Sequence, residues 1–342
     1  MRLYKGIVAV AAALVLAGCG SATGANPGPA AVPPPVSAAD LAKVTLKVGD
    51  QKGGVKSLLT AAKGLDNLPY KIEWSTFTSG PPLLEAASAG AIDIGRVGNT
   101  PPIFAAAAKA KIAVVSVSKS NVEREAILVP DDSPLKDVAS LKGKTVGVAK
   151  GSSAHGQLLN TLHNAGLSTK DIKVTFLQPA EAYAAFTQHT IDAWAIWDPY
   201  TAQAQIEAKA RVLADGRGSS NGLSFQTAST AALADPGKNS AIRDFVVRVV
   251  KAQKWADAHR PEWAAAWAKE TGLKLEVAQK AVDAGRDLPT PLDDSIVQSE
   301  QQLADAFTDD KTLPGKVDFA AYADRRFGPD LEAAQKTPRS NG

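Results

Sequence analysis

The 342-residue sequence contains a single cysteine and only four histidines. One thiol excludes an intramolecular disulfide and any cysteine-rich metal site, and four histidines leave little material for a metal cluster. An excess of charge is also lacking: 38 basic and 35 acidic side chains leave a formal +3. A dedicated nucleic-acid binder would show a concentrated basic face. No cofactor motif competes either. Gly143-Lys144-Thr145 has Val138 where a phosphate-binding P-loop needs glycine, and Gly151-Ser152-Ser153-Ala154-His155 lacks the second glycine of a nucleophile elbow. What is present is ordinary globular material, 45% hydrophobic and 21% charged. At this length one hydrophobic core is not enough, so two lobes are expected.

The cysteine is informative by its place. Arg2 and Lys5 precede the apolar run 6–17, which at 12 residues falls short of a membrane span and reads as a signal-peptide core. Leu16-Ala17-Gly18-Cys19 follows and resembles a bacterial lipobox, in which the cysteine is acylated and the first 18 residues are removed. Without Arg2 and Lys5 the net charge falls from +3 to +1. Residues 20–40 hold five prolines and no charge before Asp40, a composition that cannot bury a core, so 19–43 reads as the acylated cysteine and a flexible tether.

From Val44 the hydrophobic period alternates between strand and helix, the pattern of α/β proteins. Strands are expected at 44–49, 71–77, 91–98, 112–118, 126–130, 144–150, 173–178, 191–197 and 211–215, and extended chain at 224–234. Beyond that the chain reads as almost wholly helical to about residue 327. This order predicts a first lobe from 44–124 and 226–330, a second from 125–225, and a flexible tail at 331–342. Two crossing segments then form a hinge beside a cleft.

Ligands of open α/β sheets gather where strands end and helices begin. Four such junctions share one chemistry: 49–54, Ser79-Gly80-Pro81-Pro82, Gly98-Asn99-Thr100-Pro101-Pro102, and Lys150-Gly151-Ser152-Ser153-Ala154-His155. Each offers free backbone N–H groups, small residues and the positive end of a helix dipole, so together they describe an anion site made of neutral donors. Each is equally an ordinary capped helix when taken alone. Trp194 and Trp197, three apart on a strand, point to opposite faces, one to a core and one to the cleft. Trp255, Trp263 and Trp267 have the spacing of a packed helical face.

The chain resembles the aliphatic sulfonate-binding proteins of ABC importers, within the wider nitrate/taurine/sulfonate-binding family. The likeness rests on Gln51-Lys52-Gly53, Gly80-Pro81 before Leu84-Glu85-Ala86, Ile92-Asp93-Ile94-Gly95 and Pro101-Pro102-Ile103-Phe104-Ala105. It continues in Ser133-Pro134, Leu141-Lys142-Gly143-Lys144, Gly151-Ser152-Ser153-Ala154-His155 and the run from Asp192 to Tyr200. The resemblance implies a type II periplasmic-binding-protein fold and capture of an anion by closure of two lobes. It implies Gln51, Gly80, Asn99, Thr100, Ser152, Ser153 and His155 as contacts for the sulfonate oxygens, and Trp197 beside the organic tail. Relatives often carry Asp where Asn99 stands. Glu123, near the hinge, would favour a ligand with an amine if it faced the cleft.

The expected protein is therefore a non-enzymatic, cofactor-free monomer, tied outside the cell membrane by Cys19, that passes a sulfonate to a permease and its ATPase. Taurine, nitrate or a small heterocyclic nutrient are the rival ligands, and an enzyme on the same fold is the rival class. If Cys19 carries the anchor, Cys19→Ser should move the protein from the membrane fraction of its host. Undiminished membrane retention of that variant would contradict the anchor.

Overall fold

The computed structural model describes residues 31–336, so the signal-peptide region, Cys19 and the first part of the tether lie outside the described residues. The chain forms two mixed α/β sheets. Strands β1 (Thr45–Gln51), β2 (Lys71–Phe77), β3 (Ile94–Gly98) and β4 (Ile112–Ser120) come first. The second sheet takes β5 (Glu125–Val129), β6 (Thr145–Val148), β7 (Lys173–Phe176), β8 (Ala193–Trp197) and β9 (Arg211–Asp215). The chain then returns to the first sheet with β10 (Leu223–Ser229) and β11 (Asp287–Thr290).

The two sheets repeat one design. Their orders are β11-β4-β10-β3-β1-β2 and β7-β6-β8-β5-β9. In each, three strands run parallel, and the strand arriving from the other sheet (β10 or β5) inserts antiparallel beside them. A matching device precedes the third parallel strand. Asp93 accepts from Lys47 N at 2.9 Å, and Asp192 accepts from Thr145 N at 2.8 Å, each side chain bonding the neighbouring strand. The sequence shows this only as the pairs Ile92-Asp93 and Ile191-Asp192.

Alternation along buried strands builds two cores in the second sheet. Ile127, Val129, Ala193 and Ala195 face one side, where Leu158 and Leu162 cover them. Ala126, Leu128, Trp194 and Ile196 face the other, against Phe186. In the first sheet, Leu46 and Val48 pack under Phe245 and Val246 of the helix Pro236–Ala258, while Val97 joins Leu83 and Leu84 on the opposite face. Helices therefore sheathe both faces of both sheets.

Three expectations need correction. The region beyond residue 234 is not wholly helical, because β11 pairs with β4 and closes that edge. The tail expected to be flexible from 331 continues as the helix Gly328–Lys336, held because Leu331 and Ala334 bury themselves against the Phe245 core. The tether also ends earlier than residue 43: Val36 N donates to Ser240 Oγ at 3.3 Å, and the short helix Ala38–Leu41 lays Leu41 on the same core. Phe245 is fully buried at the centre of these contacts. Phe245→Ala should cost about 3–5 kcal/mol in denaturant unfolding. A loss below about 1 kcal/mol would contradict its central place.

Candidate functional site

Between the sheets lies a cleft of about 140 Å³. That is room for a small ligand. The helices Gly80–Ser88 and Ser153–Asn164, one behind each sheet, begin at its walls. Neither Ser79 nor Ser152 closes its own helix with a side-chain cap. The N–H groups of Gly80, Ser153 and Ala154 therefore remain for another acceptor, Pro81 and Pro82 having none to offer. Small residues bring the walls together: a Cβ on Gly98 would meet Ser153 Cβ at 2.8 Å, and one on Gly156 would meet Thr100 Oγ1 at 2.5 Å.

Five of the expected residues line this space: Gln51, Gly80, Ser152, Ser153 and Trp197. Gln51 Nε2 donates to Arg96 O at 2.9 Å, and Ser152 Oγ donates to Ala149 O at 2.7 Å. Trp194 is fully buried in the core, whereas Trp197 is half-buried at the wall. Asn99, Thr100 and His155, expected as ligand contacts, do not line the cleft. Asn99 Nδ2 donates to Asn221 Oδ1 at 2.8 Å, and Thr100 Oγ1 donates to Asn99 Oδ1 at 2.9 Å. Both side chains are thus committed behind the wall, where Asn221 in turn donates to Glu300 Oε1 at 2.7 Å.

His155 lies within an aromatic cluster of Phe104, Phe176 and Phe307, and its Nδ1 accepts from Gly151 N at 3.1 Å. Burial pulls its pKa down to about 4, with Lys150 adding to the effect and Asp310 opposing it. Packing has claimed the ring, and it stays neutral at pH 7. Glu123 is exposed and stands outside the lining; the carboxyls at the wall are those of Asp50, Asp198 and Glu125, the last accepting from Ser220 Oγ at 2.6 Å.

The lining also holds cations that the neutral-donor expectation left out. Arg96 Nη2 donates to both oxygens of Asp287 at 2.8 and 2.7 Å, and to Ser118 Oγ at 3.0 Å. Burial opposes ionisation of Asp287, but Arg96 and Arg124 outweigh it and hold the carboxyl below its ordinary value. Arg124 stands at the first crossing between the sheets. Its buried Nε has no hydrogen-bond partner, and Asp198 Oδ2 is 4.0 Å away. Burial pushes the Asp198 carboxyl up to about 7 despite Arg124. Trp267, also unforeseen, lines the same space with its buried indole Nε1 unpartnered. The sequence carried a trace of Arg96, a charge inside the otherwise apolar Ile94-Gly95-Arg96-Val97, but none that distinguished Trp267 from its helical stripe.

Among the described residues, no group of three or more His, Cys, Asp or Glu is arranged to hold a metal, and no helix is long and apolar enough to cross a membrane. The geometry suits an anion held by helix starts and a guanidinium, with an indole beside it.

The His155 placement has a pH consequence. The unfolded imidazole takes up its proton near 6.5, the folded one only near 4. Stability due to this neutral ring is whole above pH 6.5 and is lost as pH falls through 4. The loss should reach about 3 kcal/mol at ~1.4 kcal/mol per unit, and His155→Phe should flatten that part of the stability–pH curve. An unchanged slope between pH 6.5 and 4 in the variant would contradict the assignment.

A protein of Escherichia coli K12 that bears the name of an aliphatic sulfonates-binding protein is 39% identical over 289 residues, covering 82% of this chain and 89% of its own. Among solved structures, the alkanesulfonate-binding protein SsuA from Xanthomonas axonopodis pv. citri, bound to MOPS, is similar with a TM-score of 0.75 and 35% identity. That match covers 82% of this chain and 98% of the other. The periplasmic aliphatic sulphonate binding protein SsuA from Escherichia coli gives 0.72 at 38% identity, over 81% and 96% of the two chains. The NMT1-like family model matches residues 38–271, a span that takes in β1 to β10 and every residue lining the cleft, and the chain belongs to that family.

Proposed function

We propose that this protein is the extracytoplasmic receptor of an ABC importer and that it captures aliphatic sulfonates in the cleft between its sheets. The observation that carries the reading is the convergence of two uncapped helix starts, one from each half, on a space whose Arg124 Nε has no partner. A sulfonate stays ionised at any physiological pH and presents three acceptor oxygens. First-turn N–H groups at Gly80 and Ser153 satisfy part of that set, and Arg124 supplies a charge-assisted bond. Trp197 flanks the organic part.

The lobes in this reading are 44–124 with 226–330, and 125–225, joined at Asn121–Arg124 and at 216–222. Closure is supported by contacts across the mouth. Thr78 Oγ1 and Ser79 Oγ both donate to Gln178 Oε1 at 2.9 Å, and Lys52 Nζ lies 5.7 Å from the centroid of the Tyr200 ring. An acyl anchor at Cys19 would keep the receptor beside its permease and ATPase. Binding without catalysis is supported by His155, the one histidine expected in a cleft loop, which is packed behind the wall.

Calorimetry of the mature protein against a C2 to C6 alkanesulfonate series, with taurine and nitrate as competitors, tests the reading. Saturable heat with the alkanesulfonates is expected, and Arg124→Gln should weaken it about 10- to 100-fold, or ~1.4–3 kcal/mol. No heat with any member of the series would sink the proposal. Gln178→Ala should raise the dissociation rate severalfold in stopped-flow tryptophan fluorescence, and an unaltered rate would remove Gln178 from the closing contact.

A further inference from the structure

The cleft does not end at Trp267. A second chamber opens between the helices Val55–Ala61, Pro236–Ala258, Arg260–Thr271 and Leu275–Asp283, and it shares Gly53, Gly54, Arg96, Arg124 and Trp267 with the cleft. Its charged lining is lopsided: Arg96, Arg124, Arg260 and Arg286 face only Asp257 and Asp287. With Arg124 given to the sulfonate, three guanidiniums against two carboxylates leave an excess of one positive charge. Asp287 is engaged by Arg96, and Asp257 Oδ1 lies 3.2 Å from Arg286 Nε. Arg260 Nη2 donates to Val282 O and stands 3.8 Å from Asp283, which is largely exposed.

Two donors at the boundary between the spaces have no acceptor. One is Arg124 Nε. The other is Trp267 Nε1, on a side chain only 3% exposed. The indole nitrogen lies over the bare Cα of Gly53, where a Cβ would come within 1.7 Å of it. Both groups donate and neither accepts, so only an acceptor satisfies them. Trp263 stacks on Trp267 at 5.3 Å between centroids and 8°, which gives the chamber a flat apolar wall.

We infer that this chamber receives a second anionic group of the ligand, so that the preferred substrate class is a sulfonate bearing a carboxylate on a short carbon chain. The inference rests on the proposed sulfonate reading. The sulfonate occupies the helix starts, the chain runs past Trp267, and the carboxylate meets the excess guanidinium charge. A terminal amine would face the same cations and be repelled; a plain alkyl end would leave them uncompensated.

The test is titration calorimetry of the mature protein with 3-sulfopropanoate, propane-1-sulfonate and 3-aminopropane-1-sulfonate. The sulfonated carboxylate should bind at least 10-fold more tightly than propane-1-sulfonate, and the aminosulfonate more weakly than both. Arg286→Gln should cut the preference to below threefold while leaving propane-1-sulfonate within twofold of its original affinity; Arg286→Lys should retain the preference. If the Gln variant fails to fold, Arg260→Gln reads the same difference. Equal affinity for the two anions, or a preference that survives loss of the guanidinium, overturns this inference alone. Absence of binding by every sulfonate overturns the sulfonate reading and this inference with it.

Discussion

A guanidinium sits where the chain first crosses from one sheet to the other, and no neighbouring side chain completes its hydrogen bonds. Burying a charge is costly unless a partner compensates it. The nearest carboxyl to Arg124 belongs to Asp198, and burial has raised that group to about 7. Around it the acids respond in the same way. Burial pushes Glu125 up, and Glu300 rises to about 8 despite its bond from Asn221. Burial thus works against the ionisation of each of these carboxyls, while the arginine keeps its charge. The cleft wall thereby keeps a cationic donor without a partner. An anion that enters supplies what the fold withholds.

The architecture makes that arrangement available. Each sheet sends one antiparallel strand into the other's parallel set, so the two crossings lie side by side and carry Arg124 and Glu125 on one, Ser220 and Asn221 on the other. Helix starts from both halves then open toward the same space. Glycine at 98 and 156 lets the walls approach to contact distance, which a side chain at either position would prevent. The aromatic cluster of Phe104, His155, Phe176 and Phe307 joins the halves on one flank, with the Thr169–Asp310 bond beside it.

Much of this was legible in the sequence, and what was not has physical causes. Strands with strict alternation or unbroken apolar runs, such as β5 and β8, declare themselves through period alone. β11 does not: four residues containing Pro289 form a strand only because β4 offers an edge. The last helix hides for a similar reason, since Leu331 and Ala334 are too sparse to mark it until the Phe245 core is in place. At the site, junction chemistry located Gln51, Gly80, Ser152 and Ser153 correctly beside the cleft. It could not tell which way a side chain turns. Asn99 and Thr100 face a hydrogen-bond network and His155 an aromatic cluster, all formed by residues distant in sequence. Arg124 and Trp267 were missed because their role depends on the absence of a partner, and absence is a property of the folded neighbourhood.

The most direct measurement is a crystal structure of the mature protein with butane-1-sulfonate, read by the anomalous signal of the ligand sulfur. The account predicts the sulfur between the starts of the Gly80–Ser88 and Ser153–Asn164 helices, with an oxygen within hydrogen-bonding distance of Arg124 Nε. A sulfonate seated elsewhere, or one in the cleft that leaves Arg124 unpaired, would contradict it.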